Sequence, residues 1–322
     1  MKASHRLINY ALRPAKAVER KIACDIIRSL EPFERVENYR YIGFGSIYFS
    51  DFQLFHQSLG ISDMASVEKD ISHWKRFEFN VPYGCICLMP GHSNQVLPNL
   101  KWDKRCIVWL DYECKLDKKV LADIATFCSR ARSGSMLLIT LNAEPERIRG
   151  ESPEHQAVSR LQALRDAVGE DKVPRDVKGA ELRGDDFAKV CRRIVLDEVA
   201  ACLSDRSGPL PQEEKLDLSQ IAFFLYADDA KMLTLAGVLL ETRERALFEK
   251  CAFSKLPFFR DGETPYIIKA PKFTQKELHY LNSVLPKDTS HCPEVSGIPA
   301  SDVQDYALIY RYYPSYGEVL LG

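Results

Sequence analysis

A turn with two glycines separates the first β-rich run of the sequence from an amphipathic stretch, within ENYRYIGFGSIYFSDFQLF at residues 37–55. Gly43, Phe44, Gly45 and Ser46 make this turn, and glycine lets a backbone come close to a ligand. A strand that enters a helix through such a turn presents free backbone N–H groups, which often bind nucleotides. Two glycines also occur in plain turns, so other residues must support a nucleotide site.

An acidic residue follows the second β-rich run. Glu68 ends that run, Lys69 and Asp70 come next, and Glu68 lies at roughly the 20-residue spacing at which a carboxylate accepts hydrogen bonds from ribose hydroxyls. Alternatively, Glu68 or Asp70 caps the following helix. Because of the glycines upstream, the sequence favours ribose binding by Glu68.

Two later loops also follow β-rich runs and carry polar side chains. MPGHSNQVLPNLKWD contains Gly91, His92 and Ser93, and CIVWLDYECKLD contains Asp111 and Tyr112. A carboxylate that closes an apolar strand is partly buried and needs a partner. For Asp111 that partner could be a ligand ammonium, a substrate hydroxyl or the N–H groups of the next helix.

Three of the loop residues are candidates for a general base. His92 is of a residue type that titrates near neutral pH, although a loop histidine more often faces solvent or binds backbone. Asp111 is the stronger candidate because of its expected partial burial. Lys115 is the third, with a solvated surface lysine as the simpler interpretation.

Short β-rich runs alternate with helical patterns from residue 37 onward. Ser50 or Asp51 is the expected cap of the first of these helices. The pattern predicts strands at 39–44, 64–68, 85–89, 106–110 and 136–141, and helices at 50–59, 71–80 and 116–132. Strands separated by helices pair in parallel through right-handed crossovers.

The second half of the chain reads differently. A polar segment after Asn142 predicts helices at 154–168 and 185–203, and two β-rich runs around Asp228 and Asp229 predict a hairpin. Thr274 to Glu277 form a capping box for a helix toward Leu285. The final YALIYRYYP indicates a strand or a packing arm.

These elements predict a doubly wound α/β fold, with a mostly parallel seven-stranded sheet that ends in an antiparallel hairpin. The expected division is an N-terminal helical cap (1–38), a Rossmann-like cofactor-binding core (39–142), a helical insertion on the substrate side (143–217), the hairpin (218–245) and a C-terminal extension (246–322). Ligands of such sheets bind at the carboxyl ends of the strands.

The N-terminal region reads as one amphipathic helix whose start is basic. Its apolar side carries Ala17, Ile22, Ile26 and Leu30, and its basic cluster consists of Arg13, Lys16, Arg20 and Lys21. Such a cluster could clamp a phosphate or carboxylate of a substrate. It could also be a solvated face.

Composition limits the class of protein. The net charge is −1, hydrophobic residues make up 46% of the chain, and no apolar run approaches the length of a membrane span. The start lacks the apolar core of a signal peptide, so a cytoplasmic protein is expected. None of the ten cysteines lies in Cys-x-x-Cys spacing, which favours buried reduced thiols over disulfides or zinc. Cys85 and Cys87 would share one face of a strand.

At these strand ends the sequence resembles the class I S-adenosylmethionine-dependent methyltransferases, and among them the catechol-type small-molecule O-methyltransferases. That family has a glycine turn after strand one, an acidic end of strand two, a Gly-x-Ser turn with a downstream Pro-x-Leu after strand three, and Leu-Asp-aromatic at the end of strand four. The matching residues are Gly43 and Gly45, Glu68, Gly91-His92-Ser93 with Pro98-Asn99-Leu100, and Leu110-Asp111-Tyr112. The resemblance covers residues 39–240 and leaves both termini and the insertion aside.

The resemblance implies S-adenosylmethionine as cofactor and a small-molecule or nucleotide-like acceptor. The implied catalytic residues are Asp111 and His92, and the implied cofactor-binding residues are Gly43, Phe44, Gly45, Ser46, Glu68, Lys69, Gly91, His92, Ser93, Asp111 and Tyr112. A protein partner could bind the insertion or the C-terminal extension, and no membrane is expected.

The sequence departs from the family in ways that bear on its chemistry. Metal-dependent members place Asp-Asn at the end of strand five, where this chain has Leu141 and Asn142, so no metal is expected. Strand four lacks the prolines of base methyltransferases, and Cys114 lacks the preceding proline of a cytosine-carbon nucleophile. The remaining chemistry is methyl transfer to an oxygen atom, or to a nitrogen atom outside a nucleic-acid base.

Three functions follow from the sequence. The first is O-methylation of a small molecule or modified nucleotide by in-line displacement, in which positioning and one base dominate the rate. The second is a catalytically silent relative that binds a partner. The third, a nicotinamide-dependent oxidoreductase, is disfavoured because Phe49 stands at the third glycine position of Gly-x-Gly-x-x-Gly.

Overall fold

An eight-stranded sheet forms the centre of the computed structural model, which describes residues 13–148 and 152–315. The strand order is β3-β2-β1-β4-β5-β7-β6-β8. The strands are β1 (Arg40–Phe44), β2 (Asp63–Glu68), β3 (Ile86–Pro90), β4 (Cys106–Asp111), β5 (Met136–Asn142), β6 (Leu216–Ala227), β7 (Lys231–Glu241) and β8 (Tyr266–Ile268). Strands β1 to β5 are parallel, and β7 is antiparallel to both β5 and β6. The doubly wound fold is confirmed, with β8 as an additional strand that the sequence did not predict.

Eleven α-helices surround this sheet in the described ranges 13–148 and 152–315. They are α1 (Pro14–Arg28), α2 (Ser50–Leu59), α3 (Trp74–Asn80), α4 (Ser93–Val96), α5 (Lys118–Arg130), α6 (Pro153–Val168), α7 (Gly184–Ser207), α8 (Arg245–Lys250), α9 (Gln275–Val284), α10 (Cys292–Ser296) and α11 (Ala300–Ile309). Within the described ranges, no helix is long and apolar enough to cross a bilayer.

Two apolar layers cover the two faces of the sheet. On the first face, α1 and α2 pack against side chains such as Tyr41 and Trp109. On the second face, α5, α6 and α7 pack against side chains such as Val108 and Ile139. Helix α7 is therefore a core helix, although the sequence placed it in an insertion. Alternation of side chains along each strand decides which polar strand-end residues face α1 and which face α5.

Several local predictions are wrong. Helix α2 is capped by neither Ser50 nor Asp51, because Phe49 is its N-cap residue, with a left-handed φ of 46°. The predicted 71–80 helix begins with a 3-10 turn before α3. The C-terminal aromatic run at 306–314 is not a strand: its first four residues end the helix α11, and Tyr312 and Tyr313 beyond it pack against the first apolar layer, as the alternative of a packing arm predicts.

The cysteines are free thiols throughout. Cys24, Cys106, Cys128, Cys191, Cys251 and Cys292 are buried, as predicted for most of the set. Cys85 and Cys202 are half-buried, whereas Cys87 and Cys114 are exposed, so the prediction of burial fails at Cys87 and Cys114. The reason at Cys87 is topological, since β3 is an edge strand.

Candidate active site

The glycine turn after β1 lies against the ends of its two neighbours. Gly43 is paired with Ser66 of β2 on one side and with Trp109 of β4 on the other. The Gly45 N–H donates to the carbonyl oxygen of Val67 at 3.0 Å. A Cβ on Gly45 would stand 2.5 Å from Ser66 Oγ, so a side chain there would require Ser66 to move. The close approach of the Ser66 side chain therefore favours glycine at this position.

Ser66 and Glu68 lie on the same face of β2, directly beside the turn. Ser66 is fully buried, and its Oγ has no hydrogen-bond partner among the described residues. Glu68 is 7% exposed, its Oε1 accepts from the Asp70 N–H at 2.7 Å, and its Oε2 lies 3.5 Å from the Cβ position of Gly45. Burial raises the pKa of Glu68 above its ordinary value.

The capping alternative for this region belongs to Asp70. Its carboxylate accepts from the Ser72 N–H at 3.2 Å and caps the 3-10 turn that follows. Glu68 is left to face the glycine turn. Lys69 is exposed, and its assignment to the cofactor site stays a prediction.

The loop after β3 is attached to the end of β2. Gly91 has a φ of +127°, and its N–H donates to the carbonyl oxygen of Glu68 at 2.9 Å. His92 is exposed, in extended backbone before α4, and it makes no hydrogen bond to Asp111 within the described residues. The structure therefore does not bring the two predicted catalytic residues into contact. Lys115, the third candidate base, forms an ion pair with Glu146.

Ser93 and Tyr112 converge on Asp123 of α5, a residue that the sequence analysis did not consider. The Ser93 hydroxyl donates to Asp123, and the Tyr112 hydroxyl donates to the same carboxylate oxygen at 2.5 Å. Asp123 is fully buried, which raises its pKa. An acidic residue within the apolar stripe of an amphipathic helix was the available sequence signal. This carboxylate fixes both loops to α5.

Asp111 at the end of β4 is held by a lysine from the N-terminal helix. Lys16 Nζ donates to Asp111 Oδ1 at 2.7 Å. The same ammonium lies 2.7 Å from Glu19 Oε2 and 3.3 Å from the Tyr226 hydroxyl, and 4.7 Å from the centre of the Trp109 ring. Lys16 is only 4% exposed, whereas a third of the Asp111 side chain reaches solvent (33%).

A chain of polar side chains continues from Glu19 into the sheet. The Thr234 hydroxyl donates to Glu19 Oε1, the Thr140 and Thr234 hydroxyls are 2.7 Å apart, and Trp109 Nε1 donates to Thr140 at 3.0 Å. Burial raises the pKa of Glu19, and the Lys16 charge opposes that rise. The sequence analysis did not consider Glu19, Thr140 or Thr234.

The basic cluster of the N-terminal helix is thus only partly a surface feature. Lys16 and Arg20 are buried, at 4% and 9% exposure, so the interpretation of a fully solvated face is wrong. They face the strand ends because Ala15, Val18, Ile22 and Ile26 of α1 pack on the same side of the sheet.

The hairpin between β6 and β7 fixes the start of α1. Asp228 accepts from the Ala15 and Lys16 N–H groups, each at 3.0 Å, across 213 and 212 residues of sequence. A carboxylate at a helix N-terminus satisfies free N–H groups and interacts favourably with the helix dipole.

Replacement of Asp228 with alanine should lower the free energy of unfolding by about 1–2 kcal/mol, because two helix N–H groups lose their acceptor. Urea denaturation measures this loss. Asp229→Ala is the matched control, since Asp229 is 72% exposed and pairs with Arg13 at the surface, where a pair contributes about 0–1 kcal/mol. Equal losses in the two variants would contradict a capping role for Asp228.

The end of β5 does not resemble a metal site. Leu141 is fully buried in the layer on the α5 side of the sheet. The Asn142 side-chain oxygen accepts from the Glu144 N–H at 2.8 Å. In the described ranges 13–148 and 152–315, the structure contains no group of three potential metal ligands.

A cavity of about 400 Å³ opens at the carboxyl ends of β6 and β8. Tyr226, Ile267 and Pro271 contribute apolar surface, and Lys231 and Asp305 contribute charge. Strand β6 runs parallel to β5, so this cavity lies at the same edge of the sheet as the strand ends described above. A second cavity of about 430 Å³ lies at the opposite edge, among charged residues such as Arg105 and Glu244.

Comparisons with known proteins add three partial structural likenesses. The chain is similar to Trm1 from Pyrococcus horikoshii in complex with S-adenosyl-L-methionine, at 12% identity and a TM-score of 0.44, over 73% of this chain and 57% of that one. It is similar to DesVI from Streptomyces venezuelae, at 16% identity and 0.31, over 41% and 53%. It is also similar to SAM-bound CalS10, an amino pentose methyltransferase from Micromonospora echinaspora, at 16% identity and 0.31, over 40% and 52%.

The chain thus spans about half the length of these solved proteins. A comparison with curated proteins found no match. The family model described as "Putative O-methyltransferase" matches residues 8–321, nearly the whole sequence. The chain therefore belongs to this O-methyltransferase family.

Proposed function

We propose that this protein transfers the methyl group of S-adenosylmethionine to an oxygen atom of a small-molecule acceptor. The observation that carries the proposal is the arrangement of two carboxylates, Glu68 and Asp111, on the two sides of the glycine turn. All three features lie on the α1 side of the sheet, at the carboxyl ends of β1, β2 and β4. Membership of the O-methyltransferase family supports the same chemistry.

The residues at the turn fit a nucleoside ligand. Gly43 and Gly45 carry no side chain that would shield the backbone of the turn from a ligand, and Ser66 Oγ is a buried polar atom without a partner in the described residues. Glu68 Oε2 borders the same space and would accept hydrogen bonds from the ribose hydroxyls. The bound cofactor would supply an electrophilic methyl group on a sulfonium.

Asp111 would orient the acceptor. Lys16 holds Oδ1, while a third of the side chain remains exposed at the edge of the sheet (33%). The other carboxylate oxygen, Oδ2, would therefore take the proton from the hydroxyl group of the acceptor. The hydroxyl oxygen would attack the methyl group at the same time. Tyr112 lies on the α5 side of the strand ends, where its ring packs edge-on against Phe44 with 4.9 Å between ring centres, so it does not line this position.

The acceptor would be a small molecule or nucleotide-like compound with an apolar body. The cavity at the ends of β6 and β8 offers a place for it, because Tyr226 lines the cavity and also contacts Lys16. We further propose a catechol-type layout of the site without a metal, given Leu141 in place of a carboxylate. Activity should then persist in EDTA.

A catalytically silent, cofactor-binding protein is the second candidate function. The ion pair between Lys16 and Asp111 favours it, since the carboxylate already has a partner within the chain. Cofactor binding is common to both candidates, and only methyl transfer separates them.

Wild-type protein should bind S-adenosylhomocysteine, and Glu68→Ala should weaken that binding by about 1.5–3 kcal/mol, the range for hydrogen bonds to a charged group. Isothermal titration calorimetry measures the difference. Because burial raises the pKa of Glu68, wild-type affinity should begin to fall on acidification at a higher pH than an exposed glutamate would require.

Glu78→Ala is the matched control, because Glu78 is an exposed residue that accepts from Trp74 on α3. Its affinity should equal that of the wild type. Unchanged affinity in Glu68→Ala would remove Glu68 from the site. No binding by the wild type would overturn the proposed function.

A further inference from the structure

Arg20 of α1 is a largely buried cation that forms no ion pair with any described residue. Its side chain is 9% exposed. Within residues 13–148 and 152–315 it forms no hydrogen bond and no ion pair, in contrast to Lys16 one turn earlier, which contacts two carboxylates. Burial of a charge without a close counter-ion is costly, so a guanidinium in this position would gain from an anionic ligand.

Arg20 lies near charged and polar groups of β1, α2 and β6. Its positive charge opposes the burial-driven rise in the pKa of Asp51 in α2, of Tyr41 and of Tyr226. Asp51 is engaged by the Tyr41 hydroxyl, and burial raises the pKa of its carboxyl group while Arg20 opposes that rise. Asp51 therefore lies near Arg20 without neutralising it in an ion pair.

The direction of a bound nucleoside ligand follows from the strand order. Glu68 on β2 marks the ribose end, β1 with its glycine turn comes next, and Asp111 on β4 comes last. Arg20 shares a face of α1 with Lys16, which is held at Asp111, and lies near Asp51 in the helix that follows the turn. A ligand that extended from Glu68 across the turn toward β4 would bring its far end toward α1, on which Arg20 lies.

We propose that Arg20 binds the carboxylate of the methionine moiety of S-adenosylmethionine, an inference that rests on the proposed function. A guanidinium presents two parallel N–H donors that match the two oxygens of a carboxylate. The site then reads the cofactor at both ends, with Glu68 at the ribose and Arg20 at the amino-acid group. Arg20 acts in binding and takes no part in proton transfer.

The test compares two ligands that differ in the amino-acid group. S-adenosylhomocysteine carries the carboxylate, and 5′-methylthioadenosine lacks it. Calorimetry with Arg20→Met should show a loss of roughly 10- to 100-fold in affinity for S-adenosylhomocysteine, the effect of hydrogen bonds to a charged group. Affinity for 5′-methylthioadenosine should stay within about twofold, because the nucleoside contacts are intact.

Two further variants complete the design. Arg20→Lys keeps the positive charge but loses the two parallel N–H donors of the guanidinium. It should therefore bind S-adenosylhomocysteine more tightly than Arg20→Met and more weakly than the wild type. Arg28→Met is the matched control on the same helix, since Arg28 is 56% exposed and pairs with Asp25. It should bind both ligands like the wild type.

Each contrary outcome has a defined meaning. Equal loss of both ligands in Arg20→Met and Arg20→Lys would overturn the proposal and make Arg20 a structural residue. Unchanged binding of S-adenosylhomocysteine in Arg20→Met would also overturn it, and would leave an acidic acceptor as the anion. If the wild type binds both ligands equally well, the carboxylate subsite is wrong while the proposed function stands. If the wild type binds neither ligand, both the carboxylate subsite and the proposed function are wrong.

Discussion

Replacement of Lys16 with methionine should lower the free energy of unfolding by about 3–5 kcal/mol, the cost of removing one partner from a buried ion pair. Methionine fills most of the space of the lysine stem, so the cavity effect is small. The main loss is electrostatic, because Glu19 is 1% exposed and keeps a buried carboxylate without its cation. Urea denaturation followed by circular dichroism measures the change.

The pH dependence of this variant has a defined sign. Burial raises the pKa of Glu19 above its ordinary value of 4.5, and Lys16 opposes that rise, so the Lys16→Met variant has a still higher pKa there. The folded variant then binds a proton more readily than the unfolded chain, and its stability falls as pH rises from 4.5 toward the folded pKa. The deficit should be larger at about pH 8 than at about pH 5.

Two comparisons make this result specific to the buried pair. Lys21→Met alters a half-buried lysine of the same helix that donates to the Tyr313 carbonyl, and it should cost much less. The double variant Lys16→Met/Glu19→Gln removes both charges and should recover much of the loss. A Lys16→Met variant as stable as Lys21→Met would show that the pair does not hold α1 on the sheet.

Asp111→Asn should reduce the rate of methyl transfer about a hundredfold or more, which corresponds to about 2.7 kcal/mol of transition-state stabilisation. The change removes the charge that accepts the acceptor proton and preserves the shape of the side chain. Folding should be nearly unaffected, because Lys16 retains Glu19 and Asp111 is already 33% exposed. Single-turnover transfer of labelled methyl to a hydroxyl acceptor found by screening, beside a thermal melt, gives both quantities.

The control for this measurement is Asp229→Asn, an exposed carboxylate of the β6–β7 hairpin, which should keep full activity. A collapse of the melting temperature in Asp111→Asn would make Asp111 a structural partner of Lys16. Full activity in that variant would exclude Asp111 from catalysis. Loss of transfer without loss of stability or of cofactor affinity would separate an active methyltransferase from a silent relative.

The sequence by itself determined the order of the core elements. Strands β1 to β5 begin and end within one residue of their predicted positions, because short apolar, β-rich runs between turn residues are local properties of the chain. Parallel strands place their carboxyl ends at one edge, so the juxtaposition of the glycine turn, Glu68 and Asp111 followed from the order of the elements.

Some local choices depended on packing and were predicted incorrectly. The cap of α2 is Phe49, whose left-handed backbone is held by a fully buried ring, while Asp51 pairs with Tyr41 instead of capping. In the sequence, Asp123 is a single polar residue within a helical pattern. Only the packing of α5 brings Ser93 and Tyr112 into contact with it. A propensity reports what a residue prefers alone, and burial against distant partners overrides it.

Only the tertiary structure decided which side chains meet Asp111. Lys16 is 95 residues away from it in sequence, and the cap of its helix, Asp228, is 212 residues away from Lys16. The same basic helix pattern is compatible with a solvated face, and burial of Lys16 and Arg20 follows from the seating of α1 on the first face of the sheet. Periodicity specifies the faces of an element but not which other element covers them, and the charges that become buried are set by that choice.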